Sequence, residues 1–335
     1  MSESTATEEA ASERPVTSVQ SGRIRTVAAW TGVTAWGTWA LLRWAGGDRV
    51  PGIDVIAAPV LALTPYAVAA SPIPVLLAAG LRRWRAATAA GAVALALAAA
   101  VAPRAIGGGE PAAKGPVVRV LTANVYFGEA DPARLADLVR RDRVDVLSIQ
   151  ELPPHAVERY ESAGLSALLP HKVIDPRDGA AGSGLYSRHP LRALPELPDT
   201  QLAMPRAELT LPGGRTVEIT AVHPVPPLAG RALRDWRHDL AVLPSASDGG
   251  TVRILAGDFN ATFDHANFRR LVGRGYADAA DRAGAGLKPT WGQAPRPLLT
   301  IDHVLVDERC AVRKVEVHDL PGSDHNAVLA EIRLP

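Results

Sequence analysis

Apolar residues follow two different patterns along the 335-residue chain. Residues 1–22 are polar and rich in Ser, Thr and Glu, which predicts a disordered segment. Between residues 27 and 102, long runs of Ala, Val, Leu and Trp are interrupted by only five Arg and two Asp. From residue 117 onward, short apolar runs alternate with amphipathic stretches. The chain therefore divides into an apolar N-terminal region and a domain that mixes helices and strands.

The apolar region, residues 23–103, predicts three transmembrane helices, at about 27–42, 55–81 and 86–102. A helix of about 17 to 25 apolar residues crosses a bilayer. The first run is diluted by Thr and Gly, and the second contains four Pro. A cleaved signal peptide explains only one such run, and a buried soluble helix normally shows polar positions at helical period. Membrane insertion is therefore the favoured interpretation.

The charges beside the three runs predict their orientation. Two Arg precede the first run and three lie between the second and the third, whereas the opposite side mixes two Arg with two Asp. Because cytoplasmic ends of membrane helices carry an excess of Lys and Arg, we expect a multi-pass cell-membrane protein with a cytoplasmic N-terminus. The domain after residue 103 is then extracytoplasmic. Residues 104–116, rich in Gly and Pro, predict a flexible linker to that domain.

Residues 117–335 predict an α/β domain. The strand candidates are 117–123, 144–149, 184–187, 208–211, 217–222, 252–256, 301–306 and 327–332. The helix candidates are 131–141, 154–163, 230–243 and 265–272. The turn at 211–214 favours antiparallel pairing among some strands. Two packed sheets with helices outside them fit this order.

Side chains that bind metal or phosphate accumulate where these strands end. The two most informative segments are Gly257-Asp258-Phe259-Asn260 and Ser323-Asp324-His325, each placed after an apolar strand-like run. Together they bring two carboxylates, an amide and an imidazole to one sheet edge. Further strand ends carry, in chain order, Asn124, Glu151, His223 and Asp302. Such a set suits a magnesium-dependent attack of water on phosphate.

The ordered series of segments resembles the endonuclease/exonuclease/phosphatase superfamily, the group that contains deoxyribonuclease I. The segments are Leu-Thr-Ala-Asn-Val at 121–125, Ile-Gln-Glu-Leu at 149–152, Gly-Ser-Gly-Leu-Tyr-Ser at 182–187, Ala-Val-His at 221–223, Ile-Asp-His-Val at 301–304 and the two segments above. The resemblance covers residues 117–335. It implies a four-layer α/β sandwich and a metal-dependent hydrolase of phosphoester bonds, with Mg²⁺ as the cofactor and Mn²⁺ as the alternative ion.

The resemblance also implies a metal site. Glu151 would be the main ligand, because Mg²⁺ prefers carboxylate oxygens and keeps several waters. Asn124 would assist the metal or bind a phosphate oxygen. Asp324 would complete the surroundings of the metal or of the neighbouring histidine.

The catalytic roles follow from the same resemblance. Asp258 would orient and deprotonate the attacking water, and Asn260 would donate hydrogen bonds to the phosphoryl oxygens. His325 would contact the scissile phosphate, with Asp302 holding its ring and favouring the imidazolium. His223 would protonate the leaving oxygen or bind phosphate, with a structural loop histidine as the alternative.

Four other residues bear on the site. Arg206 would neutralise a phosphate, although a surface arginine is the favoured explanation in a chain this rich in Arg. Trp291 would pack on the substrate, or else be a buried structural residue. His303 should point to the opposite face of its strand, which excludes it from catalysis. Tyr126 stands where nucleases of the abasic-site type carry an acidic residue, so a second metal-binding mode is not supported.

Charge bears on the substrate. From residue 105 onward, 27 Lys and Arg oppose 29 Asp and Glu, a formal net charge of 27 − 29 = −2, which is not typical of a strong nucleic-acid binder. The leading hypothesis is a membrane-anchored phosphodiesterase or phosphatase that acts on a lipid head group or a small phosphodiester. The alternatives are an extracytoplasmic nuclease of the same fold and a noncatalytic protein that binds a phosphate ligand. The lipid bilayer is the expected partner, and no protein partner is indicated.

Overall fold

The computed structural model describes residues 16–228, 230–246, 250–292 and 298–335. Most of the segment predicted to be disordered, residues 1–15, lies outside these ranges. The N-terminal region is helical. Its helices are α1 Val16–Ala45, α2 Asp54–Ala62, α3 Thr64–Ala70, α4 Pro72–Gly80, α5 Trp84–Val101 and α6 Pro103–Ile106, with a 3-10 turn at Gly47–Arg49.

The structure corrects the prediction of three transmembrane helices. In the described chain, α5 is the one helix that is long and apolar enough to cross a membrane. The second predicted run is broken at its prolines, and the axes of Asp54–Ala62 and Thr64–Gly80 differ by 64°, so these helices form at most one broken span. The first run lies in α1, where the Thr and Gly positions lower the mean hydropathy. The described helices thus offer one candidate span, or two if the bent pair is counted.

The rest of the chain forms two six-stranded sheets with helices outside them. The strands are β1 Val117–Asn124, β2 Val146–Gln150, β3 His171–Asp175, β4 Ser183–Ser187, β5 Leu191–Ala193, β6 Arg206–Thr210, β7 Thr216–Val222, β8 Val252–Asp258, β9 Tyr276–Asp278, β10 Asp302–Asp307, β11 Ala311–His318 and β12 Ala327–Arg333. One sheet has the order β11-β12-β1-β2-β4-β3 and the other β5-β6-β7-β8-β10-β9. In both sheets parallel and antiparallel pairs are mixed.

The outer helices follow the amphipathic stretches of the sequence. They are α7 Pro132–Arg141, α8 Pro154–Tyr160, α9 Ser166–Leu168, α10 Arg231–Val242, α11 Ala266–Val272 and α12 Ala279–Arg282, with a π-type turn at Glu161–Leu165 and a 3-10 turn at Gly179–Ala181. α7 begins where the Asp131 carboxylate accepts the N–H groups of Ala133 and Arg134, which satisfies free donors of its first turn.

Three buried apolar clusters define the layers. Val146, Ile219, Ile254 and Val304 belong to the cluster between the two sheets. The α7 and α8 side chains pack on the outer face of the first sheet, and Trp236 of α10 lies in the cluster outside the second. The four-layer α/β sandwich is therefore confirmed.

Residues 104–116, predicted as a flexible linker, contact the sandwich. α6 occupies the first part, and the Gly108 N–H donates to the Arg282 carbonyl at 3.1 Å. The Glu110 carboxylate accepts the Val312 N–H at 2.6 Å. These contacts hold the connection between the helices and the sandwich against α12 and β11.

Candidate active site

The predicted site residues meet at one edge of the sandwich, where β1, β2, β7 and β8 end and β10 begins. The antiparallel register of β8 and β10 places Asp258 directly opposite Asp302. The parallel register of β1 and β2 places Asn124 beside Gln150, one residue before Glu151. The fold thus brings together residues that are up to 201 positions apart in the sequence, from Asn124 to His325 (325 − 124 = 201).

Gly257 permits the close approach of β7 to β8. A Cβ atom at this position would lie 1.9 Å from the Val222 carbonyl oxygen, so only glycine fits. As a result His223, the residue after β7, lies beside Asp258. The glycine in the Gly-Asp-Phe-Asn segment is therefore required by backbone packing.

His325 and Asp302 form a buried pair. The His325 Nδ1–H donates to Asp302, with distances of 2.9 Å to Oδ2 and 3.1 Å to Oδ1. Burial disfavours the imidazolium, but the carboxylates of Asp302 and Asp258 outweigh it and raise the pKa of His325 well above its usual value. His325 is therefore an imidazolium at neutral pH, and its Nε2–H is available as a donor.

Two hydroxyl groups position this pair and were not assigned a role from the sequence. The Ser323 hydroxyl accepts the His325 N–H at 3.0 Å and donates to the Asn124 carbonyl at 2.8 Å. The Thr290 hydroxyl accepts the Asp302 N–H at 3.1 Å. A serine two residues before another N–H is typical of a hydroxyl turn, so the first contact had a sequence signal. The Thr290 contact had none, because it joins separate segments.

Asp258 lies at the centre of the site. Its Oδ1 accepts the Asn260 N–H at 2.8 Å, and its Oδ2 accepts an N–H of the Asn124 amide at 3.1 Å. The same Oδ2 is 3.6 Å from His325 Nε2. Burial raises the pKa of Asp258, and the nearby imidazolium of His325 opposes this increase. A carboxylate with a raised pKa can take a proton from water at neutral pH more effectively than an exposed one.

Glu151 and Asp324 supply oxygen atoms beside Asp258. Glu151 Oε1 accepts an N–H of the Asn124 amide at 3.1 Å, and Oε2 accepts the Phe127 N–H at 3.0 Å. Burial raises the pKa of Glu151, and these two hydrogen bonds offset it only in part. Asp324 Oδ2 accepts the Trp291 indole N–H at 3.0 Å, whereas its Oδ1 is shielded from solvent and accepts no hydrogen bond from the described residues.

This donor set fits a divalent cation. The shielded Oδ1 of Asp324 has no hydrogen-bond partner among the described residues, so a positive charge beside it would be stabilising, and hard cations prefer oxygen ligands. Glu151 and Asp324 would hold the ion, and Asn124 would assist them. The neighbouring residues Asp258, Asp302 and His325 have ligand atoms within 4.8 Å of one another. Since a hydrogen bond already joins two of them, we assign these three residues to proton transfer.

His223 lies inside the site. Its Nε2 is 3.8 Å from Asp258 Oδ2 and 4.0 Å from Glu151 Oε1. Burial, with a contribution from the charge of His325, lowers the pKa of His223 to about 3. The ring is therefore neutral at neutral pH, and it can exchange hydrogen bonds with a phosphate but is not a charged acid.

Asn260 and Trp291 line the same cavity as the catalytic residues. One N–H of the Asn260 amide donates to the Pro224 carbonyl at 3.0 Å, which leaves the second N–H for a substrate. The Trp291 ring centre is 6.4 Å from that of His325. Besides any contact with the substrate, Trp291 fixes Asp324 through its indole N–H.

Arg206 and His303 lie elsewhere. The structure does not place Arg206 at the catalytic cavity, because its guanidinium donates to the Pro195 carbonyl at 3.3 Å, lies 3.5 Å from Glu218 and lines a different cavity. His303 points away from the site, as predicted. Its ring contacts Asp278 at 2.5 Å and the Ala261 carbonyl at 2.9 Å.

Four residues around the site have left-handed backbone conformations. They are Tyr126, Phe127, Glu151 and Asn260, with φ of 47°, 54°, 56° and 47°. Such values are uncommon for residues with a Cβ atom and often occur at functional sites. Tyr126 and Phe127 also line the cavity, which the sequence did not indicate.

A sandwich of two mixed sheets, with an imidazolium–carboxylate pair and a cluster of oxygen ligands at one edge, defines the class of metal-dependent phosphoester hydrolases. The chain belongs to the endonuclease/exonuclease/phosphatase family, which matches residues 121–325. Members of this family depend on divalent metal and hydrolyse phosphoester bonds, so the protein is an enzyme of this type. No curated protein matches the chain.

Several solved structures share this fold. An endonuclease/exonuclease/phosphatase from Beutenbergia cavernae superposes with a TM-score of 0.52 at 20% identity, over 65% of this chain and 72% of that chain. An endonuclease/exonuclease/phosphatase from Bacteroides vulgatus superposes with a TM-score of 0.53 at 19% identity, over 66% of this chain and 100% of that chain. A variant of the 3′ phosphatase NExo from Neisseria, bound to a product DNA hairpin, superposes with a TM-score of 0.52 at 20% identity, over 64% of this chain and 98% of that chain. The similarity in each case is one of fold.

Proposed function

We propose that the protein is a membrane-anchored, Mg²⁺-dependent phosphodiesterase or phosphatase whose catalytic domain lies on the extracytoplasmic side. The observation that carries the proposal is the His325–Asp302 pair, which faces Asp258 in a cavity that also contains Glu151 and Asp324. This arrangement combines a base, a cationic donor and a set of metal ligands within one cavity. A noncatalytic binding protein would not need these three groups to lie next to one another.

The chain's own residues divide the reaction between them. Asp258 takes a proton from the attacking water as the water oxygen bonds to phosphorus, and the backbone N–H of Asn260 holds its carboxylate in place. The bond from phosphorus to the ester oxygen breaks, and the leaving oxygen keeps the electron pair and takes a proton from solvent. The His325 Nε2–H donates to a phosphoryl oxygen as negative charge develops there. A Mg²⁺ ion held by Glu151 and Asp324 would polarise the phosphoryl oxygen when bound. Mg²⁺ is favoured over softer ions because these donors are oxygens.

The two ends of the helical region support the orientation. At one end, Arg83 donates to the Gly22 carbonyl at 2.5 Å. Four further arginines lie within three residues of this contact in the sequence: Arg23, Arg25, Arg82 and Arg85. At the other end, Arg43 and Arg104 contact the sandwich through Asp264. An arginine-rich end beside a candidate span is typically cytoplasmic, which supports an extracytoplasmic sandwich. Protease added to intact cells should then remove the sandwich, whereas complete protection would contradict this orientation.

Nucleic acid is the second candidate substrate. The DNA hairpin bound to the Neisseria NExo protein favours it, whereas the net charge of −2 after residue 105 does not. Cleavage of plasmid DNA that is abolished by His325→Ala would favour the nuclease.

The test of activity uses the full-length protein with bis(4-nitrophenyl) phosphate as a diester and 4-nitrophenyl phosphate as a monoester. We expect hydrolysis that is lost with EDTA, restored by Mg²⁺, abolished by His325→Ala and lowered at limiting Mg²⁺ by Glu151→Gln. His155→Ala and Glu158→Gln change exposed residues of the same types on α8 and serve as matched controls. If the wild-type protein with Mg²⁺ cleaves no diester, monoester or DNA, the proposed function is wrong.

A further inference from the structure

The N-terminal helical region is joined to the sandwich by buried polar contacts. The Asp264 carboxylate accepts Arg43 Nε at 2.6 Å and Arg104 Nη2 at 2.8 Å, and all three side chains are buried. The Asp48 carboxylate accepts the first two backbone N–H groups of α11, at 3.0 and 3.1 Å. Separating buried pairs of this kind would leave uncompensated charges. The helices therefore have a defined position against the sandwich.

The loop that carries the catalytic residues is also the loop that binds α2. It runs from Asp258 and Asn260 to His265 within seven residues (265 − 258 = 7). His265 Nδ1 accepts the Thr262 N–H at 2.9 Å, so its Nε2 carries the proton and donates to the Ala58 carbonyl at 2.8 Å. This contact fixes the backbone of α2 beside the active site.

α2 forms one wall of the catalytic cavity, which has a volume of about 550 Å³. The catalytic side chains occupy one part of the cavity. The rest of the lining includes Ala58, Pro59 and Ala62 from α2 and Pro226, Leu228 and Leu299 from the sandwich. These groups are aliphatic, and Leu228 is 72% exposed although it is a large apolar residue. An exposed apolar surface that continues from a catalytic centre indicates an apolar part of the ligand.

We propose that α2 completes the substrate cavity and that the substrate is a phosphoester with an attached hydrocarbon chain, as in a lipid. This inference rests on the proposed function, because the phosphoryl group must lie against Asp258 and His325, on their cavity side. The hydrocarbon chain then lies along the wall formed by α2 and Leu228.

The charges of the lining favour this class over nucleic acid. Among the described residues that line the cavity there is no Lys or Arg, although nucleic-acid grooves neutralise the phosphate backbone with such residues. A small polar phosphoester would leave the aliphatic wall in contact with water. A lipid-like phosphoester would cover it, and the adjoining helices include the candidate membrane span α5.

The test compares two diesters that share a chromogenic leaving group, 4-nitrophenyl methyl phosphate and 4-nitrophenyl octyl phosphate, with the full-length protein in lipid nanodiscs. Burial of one methylene contributes about 0.8 kcal/mol, or about fourfold in kcat/KM, so two buried methylenes give an octyl-to-methyl ratio of more than about tenfold. A ratio near one would overturn the inference and leave the proposed function standing. If neither diester is cleaved, and the simple aryl phosphates and DNA are not cleaved either, the proposed function itself fails.

Variants separate binding in the cavity from partition of the octyl ester into the disc. Pro59→Gln on α2 and Leu228→Gln on the sandwich should each lower the octyl-to-methyl ratio by about threefold or more. Ile106→Gln replaces a residue that is 81% exposed and does not line the cavity, so it should leave the ratio unchanged. An unchanged ratio in Pro59→Gln, with its melting temperature retained, would show that α2 is not part of the substrate site.

Discussion

Replacing Asp302 with Asn should lower activity by removing the charge that keeps His325 protonated. The two side chains are 2.9 Å apart at their closest atoms and both are buried. At an effective dielectric constant of about 20, unit charges about 4 Å apart interact by about 4 kcal/mol, which corresponds to about three pKa units. Because Asn keeps the shape of Asp and can still accept the Nδ1–H, the change acts mainly on charge. Because the pKa of His325 is about 10, a decrease of about three units brings it close to neutrality, so we expect kcat/KM to fall by about twofold at pH 7 and by about 100-fold at pH 9.

The assay is hydrolysis of bis(4-nitrophenyl) phosphate, followed as a function of pH. Loss of the carboxylate lowers the pKa of His325, so activity of Asp302→Asn should decline at a lower pH on the alkaline side than activity of the wild type. Asp307→Asn is the matched control, because Asp307 lies at the other end of β10 and pairs with Arg309. The assigned role of the pair would be refuted if Asp302→Asn had the kcat/KM of the wild type and if its activity declined at the same alkaline pH.

Three further predictions concern the metal, the interface and pH. Glu151→Gln should weaken Mg²⁺ activation by about tenfold or more, measured by titrating Mg²⁺ into the EDTA-treated protein. Asp264→Asn leaves two buried guanidinium groups unpaired and should destabilise the full-length protein by about 3–5 kcal/mol, measured by denaturant unfolding. Burial disfavours the imidazolium of His303, but Asp278 outweighs it and raises the pKa. The protonated His303 therefore stabilises the folded protein fully at pH values below its unfolded pKa of about 6.5, and this stabilisation is lost as pH rises through the folded pKa. The denaturant midpoint of the wild type should fall over that pH range, and His303→Gln should flatten the fall.

The eight predicted strands are all present, with ends shifted by a few residues. They could be predicted because each carries a clear apolar pattern. The strands that were not predicted are β3, β5, β9 and β11. All four lie at sheet edges. β5 and β9 are only three residues long, and β11 has exposed Arg313 and Lys314 beside a bulge. Edge strands need fewer apolar residues because one side is unpaired. Their sequences therefore resemble loops.

The candidate site could be predicted where strands end in polar residues, since the fold itself brings strand ends together. Arg206 was also selected for its charge, but its partners Pro195 and Glu218 lie in the sandwich away from the site. Contacts between distant segments gave no local signal. Ala58 and His265, for example, are 207 positions apart, and only tertiary packing makes α2 part of the cavity.

The left-handed conformations of Tyr126, Phe127, Glu151 and Asn260 have a consequence for protein engineering. Each such conformation costs about 1–3 kcal/mol when the residue carries a Cβ atom. Glycine at these positions would relieve that cost, so selection for thermal stability alone would favour replacing them. Laboratory evolution of this enzyme therefore needs an activity screen at every round, because the most heat-resistant variants would be those that had lost these four side chains of the active site.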